Sequence, residues 1–162
     1  MIKSNIDHIV FDWGDTIMKD DLSRTDAMYL WPQVEVVEAG MAETLAGLAA
    51  SYTLVIATRA SASDEAMVRK ALTRVRVDHW FSHVFTALRT GGPKTDPRFW
   101  QFIMQELGLG SDRLLVVGDN FASDVLVPTR LGIQAVWFNW RSSEERAGEN
   151  YHTIHRLSEL IA

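Results

Sequence analysis

Apolar residues along this chain gather in short runs, and amphipathic stretches separate the runs. The first run, Ile6-Asp7-His8-Ile9-Val10-Phe11, is β-branched and stops abruptly at Asp12-Trp13-Gly14-Asp15, as a buried strand meeting a turn does. Residues 19–31 are polar, then aromatic, with no clean period, and read as a loop or short flap. Val34, Val37, Met41, Leu45 and Leu48 recur at helical spacing behind Pro32, which predicts an amphipathic helix. A second strand runs from Tyr52 to Ala57 and ends at Thr58-Arg59. Ser61 and Asp64 offer a capping box for a helix over residues 63–74. Val84-Phe85-Thr86 is a short third strand. Asp96-Pro97 opens a helix striped by Phe99, Phe102, Ile103 and Leu107, and Gly108 can close it.

Leu114 to Val117 forms a fourth strand ending at Gly118-Asp119. Ser123 to Leu131 reads as a helix closed by Gly132, shortened or kinked by Pro128. Gln134 to Phe138 is a fifth strand, residues 139–150 a polar loop, and Ile154, Leu157, Leu160 and Ile161 predict a last helix. Continuous apolar strands alternating with helices imply an α/β fold: a three-layer, Rossmann-like sandwich around a mainly parallel sheet. In such sheets ligands bind beyond the carboxyl ends of the strands.

The residues at those ends carry the chemistry. Asp12, Asp15 and Thr16 follow the first strand, Thr58 ends the second, Lys94 precedes a helix, and Asp119 and Asp124 follow the fourth. Carboxylates gathered at one mouth repel one another and call for a cation, and an all-oxygen set suits Mg²⁺. A magnesium ion, Lys94 and backbone donors near Thr58 together suit a phosphoryl group. A carboxylate can itself attack phosphorus, and Asp12, ending the first strand, is the best candidate nucleophile.

These residues lie in four segments that resemble the motifs of the haloacid dehalogenase-like hydrolase superfamily, in the family order: Phe11-Asp12-Trp13-Gly14-Asp15-Thr16-Ile17, Ile56-Ala57-Thr58, Lys94 within Lys94-Thr95-Asp96-Pro97-Arg98-Phe99, and Val117-Gly118-Asp119-Asn120-Phe121-Ala122-Ser123-Asp124. The resemblance runs from about residue 5 to residue 140. It implies that Asp12 is nucleophile and magnesium ligand, and that the Gly14 carbonyl also binds the metal. It further implies that Thr58 and neighbouring amides hold the phosphoryl group, Lys94 balances charge, Asp119 binds magnesium, and Asp124 supports the metal directly or through water. Arg59 and Trp13, beside these motifs, are candidate substrate contacts. Family phosphatases usually carry an acid–base Asp two residues after the nucleophile, and here that residue is Gly14. Asp15 is either a substitute acid or a cap for the turn.

Spacing bears on the family's cap domains. Motif one lies 46 positions before motif two, and motif two 36 before Lys94. The core elements fill both gaps, so the chain resembles the capless group, whose open site admits a bulky substrate or a protein or is covered by a neighbouring subunit. Dehalogenation is disfavoured, because dehalogenating members typically place other side chains at these positions.

Composition adds limits. The length of 162 residues fits one domain over residues 1–162, and 47% hydrophobic residues suffice for a core. A net charge of −5 weighs against nucleic acid as partner. The absence of Cys excludes disulfides, thiolate metal sites and Cys nucleophiles. No apolar run approaches the roughly 20 residues of a membrane span, and no signal-peptide layout opens the chain, so a cytoplasmic location is expected. Gly91-Gly92-Pro93-Lys94 lacks the spacing of a nucleotide phosphate loop, and His79 and His83 lack a third metal ligand. Asp20-Asp21 reads as solvated loop, and Trp31 and Trp13, after strand one, either serve the core, as aromatics more often do, or touch substrate.

Three functions compete. A magnesium-dependent phosphohydrolase working on a phosphate monoester through an aspartyl-phosphate at Asp12 leads. A catalytically weak or inactive binding module is the alternative that Gly14 motivates. A receiver domain also phosphorylates an Asp, but places it on the third strand rather than the first.

Overall fold

The computed structural model describes residues 1–161. Six strands form one sheet: β1 His8–Phe11, β2 Thr53–Thr58, β3 Phe81–Thr86, β4 Leu114–Gly118, β5 Gln134–Phe138 and β6 Tyr151–Ile154. Their order is β3-β2-β1-β4-β5-β6, and every pairing is parallel. The helices are α1 Met41–Ala49, α2 Glu65–Arg74, α3 Ala87–Thr90, α4 Pro97–Leu107 and α5 Val127–Arg130.

Strand alternation builds two cores. Ile9 and Phe11 of β1, Leu54 and Ile56 of β2 and Leu115 and Val117 of β4 face Leu45 and Leu48 of α1 and Val68 of α2. Val10, Val55 and Val116 face the other way, onto Phe99, Trp100 and Ile103 of α4. This is the expected three-layer α/β sandwich. Between β1 and β2 stand a loop, a 3₁₀ turn at Met28–Leu30 and α1, with no inserted cap domain. No helix among the described residues is long and apolar enough to cross a membrane.

Four local expectations are corrected. The helix expected from Val34 begins only at Met41. Gly40 adopts a left-handed conformation (φ 84°) that breaks the helical path, and Val36 bridges to Met18 in antiparallel fashion, which suits its β-branched side chain. The cap of α2 is Asp64, whose side chain accepts from Met67 N–H, rather than a Ser61–Asp64 box. β3 starts at Phe81, earlier than its apolar signal, because exposed Ser82 interrupts that signal. The expected last helix is replaced by β6, paired with β5, and a 3₁₀ turn at Leu157–Leu160. Pairing satisfies the edge of β5, and Ile154 and Leu157 still reach the core.

The helix expected from Ser123 to Leu131 starts as a wide π-helical turn, Phe121–Leu126, and continues as α5. Pro128 has no N–H to give to the carbonyl four residues back, that of Asp124, which accounts for the loosened turn.

Candidate active site

The strand ends set the site. Asp12 directly follows β1, and its N–H donates to the Val117 carbonyl (2.9 Å), extending the β1–β4 ladder by one residue. Asp119 directly follows β4, and its carbonyl accepts from Trp137 Nε1 at 2.9 Å. Thr58 is the last residue of β2. Lys94 sits ahead of α4, where its carbonyl accepts from Trp100 Nε1 (3.0 Å). Asp124 rides on the π-helical turn, whose Asn120 side chain accepts from Ser123 N–H. Gly118 permits this approach: a Cβ there would lie 2.3 Å from Asp124 Cγ.

These residues meet. Lys94 Nζ donates to Asp12 Oδ1 at 2.9 Å and forms a second ion pair with Asp124 Oδ1 at 2.5 Å. Asp124 Oδ2 accepts from Asn120 N–H (3.1 Å). Thr16 Oγ1 donates to Asp12 Oδ2 at 3.3 Å. One carboxylate oxygen each from Asp12, Asp119 and Asp124 fall within 4.8 Å of one another. Thr58 Oγ1 accepts from Ala60 N–H (3.0 Å), which leaves its own hydrogen free to donate.

Lys94 is 3% exposed and Asp124 1%, so their charges meet with little water between them. Burial, followed by the Asp12 charge, pushes Asp119 up to about 7, while Arg141 pulls the other way. Burial pushes Asp124 up to about 6 although Lys94 opposes it. Burial also works against the Lys94 ammonium, yet Asp12 and Asp124 outweigh it and hold Lys94 above the ordinary lysine value. Three acids around one lysine leave excess negative charge. A hard cation bound through oxygen would relieve it, so the donor set fits magnesium.

The site opens into a cavity of about 390 Å³. It is lined by the strand-end residues Asp12, Thr58 and Asp119 with Lys94, by Asp20, Arg24 and Trp31, and by Arg59, Ser61 and Ser63. Among these lining residues Arg59 is exposed. Trp13 also borders the cavity but is 4% exposed, packed in the core with Nε1 on Met18 Sδ (3.2 Å). Asp15 has φ 58°, a left-handed conformation that Asp tolerates in turns. Its Oδ1 accepts from Asp20 N–H (3.0 Å), and its Oδ2 pairs with Arg141 Nη2 (2.7 Å).

A sequence model of haloacid dehalogenase-like hydrolases matches residues 15–138, more than three quarters of the chain. The chain belongs to this hydrolase family. The match opens three residues past Asp12, so it is the contacts with Lys94 and Thr16 that bring Asp12 into the group. A glyceraldehyde 3-phosphate phosphatase from Methanothermobacter thermautotrophicus is 27% identical over an alignment of 95 residues that covers 55% of this chain. The chain spans only 42% of that relative's length. Among solved structures, an uncharacterized protein from Listeria monocytogenes serotype 4b superposes with a TM-score of 0.82 at 20% identity, covering 96% of this chain and 95% of the other. A HAD-hydrolase from Bacillus subtilis bound to magnesium superposes with a TM-score of 0.74 at 15% identity, covering 96% of each chain.

Around the motifs of this haloacid dehalogenase-like hydrolase, the structure adds residues that the motifs do not name. Arg141 forks between Asp15 and Asp119 Oδ2 (3.0 Å), its guanidinium 4.3 Å from the Trp140 ring centre, while Trp140 Nε1 donates to the Asp15 carbonyl (2.8 Å). Both belong to the loop after β5, so the rule that sends ligands to strand ends reaches them. Asp20, read as solvated loop, is half-buried and lines the cavity. Burial, with Asp15 and Asp12 nearby, raises its carboxyl against the pull of the Asp21 N–H and Arg59.

Proposed function

We propose that the chain is a magnesium-dependent phosphohydrolase that cleaves a phosphate monoester through an aspartyl-phosphate on Asp12. The observation that carries this reading is the buried Lys94–Asp12 pair lining an open cavity, beside two further carboxylates. A dianionic phosphoryl group cannot approach an unshielded carboxylate. Lys94 supplies one positive charge at the attacking atom, and the Thr58 hydroxyl supplies a donor to a phosphoryl oxygen. Asp12, Asp119, the Gly14 carbonyl and Asp124, directly or through water, would hold the magnesium. When bound, the ion neutralises phosphoryl charge and orients the group. The relative named as a phosphatase of a small phosphate ester supports the same reaction class. With no cap domain over the site, the mouth admits a bulky substrate, and Arg59 stands where a second anionic group would lie.

A second reading rests on Gly14, which has no side chain to protonate a leaving group: a binding module with slow or no turnover. A phosphate-ester panel separates the two. The purified protein should release inorganic phosphate with Mg²⁺ and lose that activity under chelation. No release from any ester with Mg²⁺ favours the binding module, and undiminished release under chelation contradicts the metal.

Proton linkage provides an independent check. Asp119 and Asp124 sit above their ordinary values, so the folded state binds protons more tightly than the unfolded chain. Their stabilisation is full below about pH 4 and is lost as pH rises through 6 and 7. The metal-free protein should therefore melt lower at pH 8 than at pH 5 through these groups, and Mg²⁺ should raise the melting temperature most at pH 8. No response to Mg²⁺ at pH 8 would contradict the cation site.

A further inference from the structure

Position 14 carries no side chain, and a carboxylate from elsewhere stands over it. Asp20 reaches back across the turn, placing its Oδ2 3.0 Å, and its Cβ and Cγ 3.4 Å, from the point where a Cβ on residue 14 would lie. The backbone fixes this posture. Asp20 N–H donates to Asp15 Oδ1 (3.0 Å), Asp15 N–H donates to the Met18 carbonyl (2.6 Å), and Asp21 N–H donates to Asp20 Oδ1 (2.8 Å). One Asp20 oxygen is thus held by the chain, and the other faces Gly14. Asp20 lines the same cavity as Asp12, Thr58 and Lys94. Asp15, the other acid of the turn, has both oxygens engaged, one by Asp20 N–H and one by Arg141.

We propose that Asp20 is the catalytic proton donor and acceptor of this site, delivered through space to the position that Gly14 leaves open. The proposal rests on the reading of Asp12 as nucleophile. In the first step an Asp12 oxygen forms a bond to phosphorus and the bond from phosphorus to the leaving oxygen breaks. The leaving oxygen takes the proton of the Asp20 carboxyl and departs as an alcohol. In the second step the Asp20 carboxylate takes a proton from water, and that water's oxygen bonds to phosphorus. The Asp12–phosphorus bond breaks, inorganic phosphate leaves, and Asp12 is again a carboxylate and Asp20 a carboxylic acid. Gly14 belongs to this arrangement, because a side chain there would press on Asp20.

The test compares kcat/KM for an alkyl phosphate, whose alkoxide needs a proton, with that for a nitrophenyl phosphate, whose leaving group needs none. Asp20→Asn should lower the alkyl value about a hundredfold and the nitrophenyl value far less. Gly14→Asp alone should give no gain, whereas Gly14→Asp in an Asp20→Ala background, where no side chain presses on the new one, should regain most of the alkyl activity. Circular dichroism and melting confirm that each variant is folded. Retention of alkyl activity in folded Asp20→Asn, or equal loss on both esters, overturns the proposal. So does a several-fold gain in Gly14→Asp alone. Asp12→Asn is the control: if it stays active on both esters, the nucleophile reading itself fails, whatever Asp20 does.

Discussion

Asp12→Asn should abolish phosphate release, lowering kcat by about 10⁴-fold or more, because an amide oxygen cannot replace a carboxylate as nucleophile. The substitution is isosteric, and what it removes is charge. Asp12 helps to raise the carboxyl groups of Asp119 and Asp124, so its neutralisation relieves repulsion in the metal-free site. Lys94 keeps its contact with Asp124. The melting temperature at pH 8 should therefore hold or rise while activity disappears. Loss of both together would mean misfolding, and persistence of activity would mean that another group attacks phosphorus. Thermal melting and a phosphate-release assay on the same preparation separate these cases.

Lys94→Met should destabilise the protein strongly. Methionine fills similar space beside Trp100 but leaves Asp12 and Asp124 without their shared cation. Removing one partner of a buried ion pair typically costs about 3–5 kcal/mol. For a chain of this size that corresponds to a melting temperature lower by roughly 10 °C. The loss should be largest at pH 8, where Asp119 and Asp124 are ionised, and should shrink towards pH 5, where their protons relieve the unbalanced negative charge. Activity should fall with it, because the incoming phosphoryl group would meet an unshielded carboxylate. Melting within about a degree of the parent at pH 8 would show that the pair contributes little to folding.

Most of the sheet was legible because its strands are buried on both faces and so read as unbroken apolar runs. β1, β2, β4 and β5 lie close to where those runs lie, and β5 matches residue for residue. β6 was not legible, because it is an edge strand whose residues Tyr151, His152 and Thr153 are only half-buried. The start of α1 is not legible either, because Val34 and Val37 fit a helical period that Gly40 interrupts. Asp12, Thr58, Lys94, Asp119 and Asp124 could be found because each stands at or just beyond a strand end or before a helix, and the fold draws those points to one mouth. Arg141 and Trp140 obey the same rule but lie in a loop without a motif. The placement of Asp20 depends on a turn that folds the chain back over Gly14, which neither spacing nor periodicity encodes.

The stereochemical course at phosphorus tests covalent catalysis most directly. A thiophosphate monoester made chiral at phosphorus with two oxygen isotopes is hydrolysed by the magnesium-loaded enzyme in water labelled with the third, so that the released thiophosphate carries four different groups. Attack by Asp12 followed by attack by water is two in-line displacements, each inverting, so the released thiophosphate should retain configuration. Inversion would mean a single direct attack by water and would contradict an aspartyl-phosphate on Asp12.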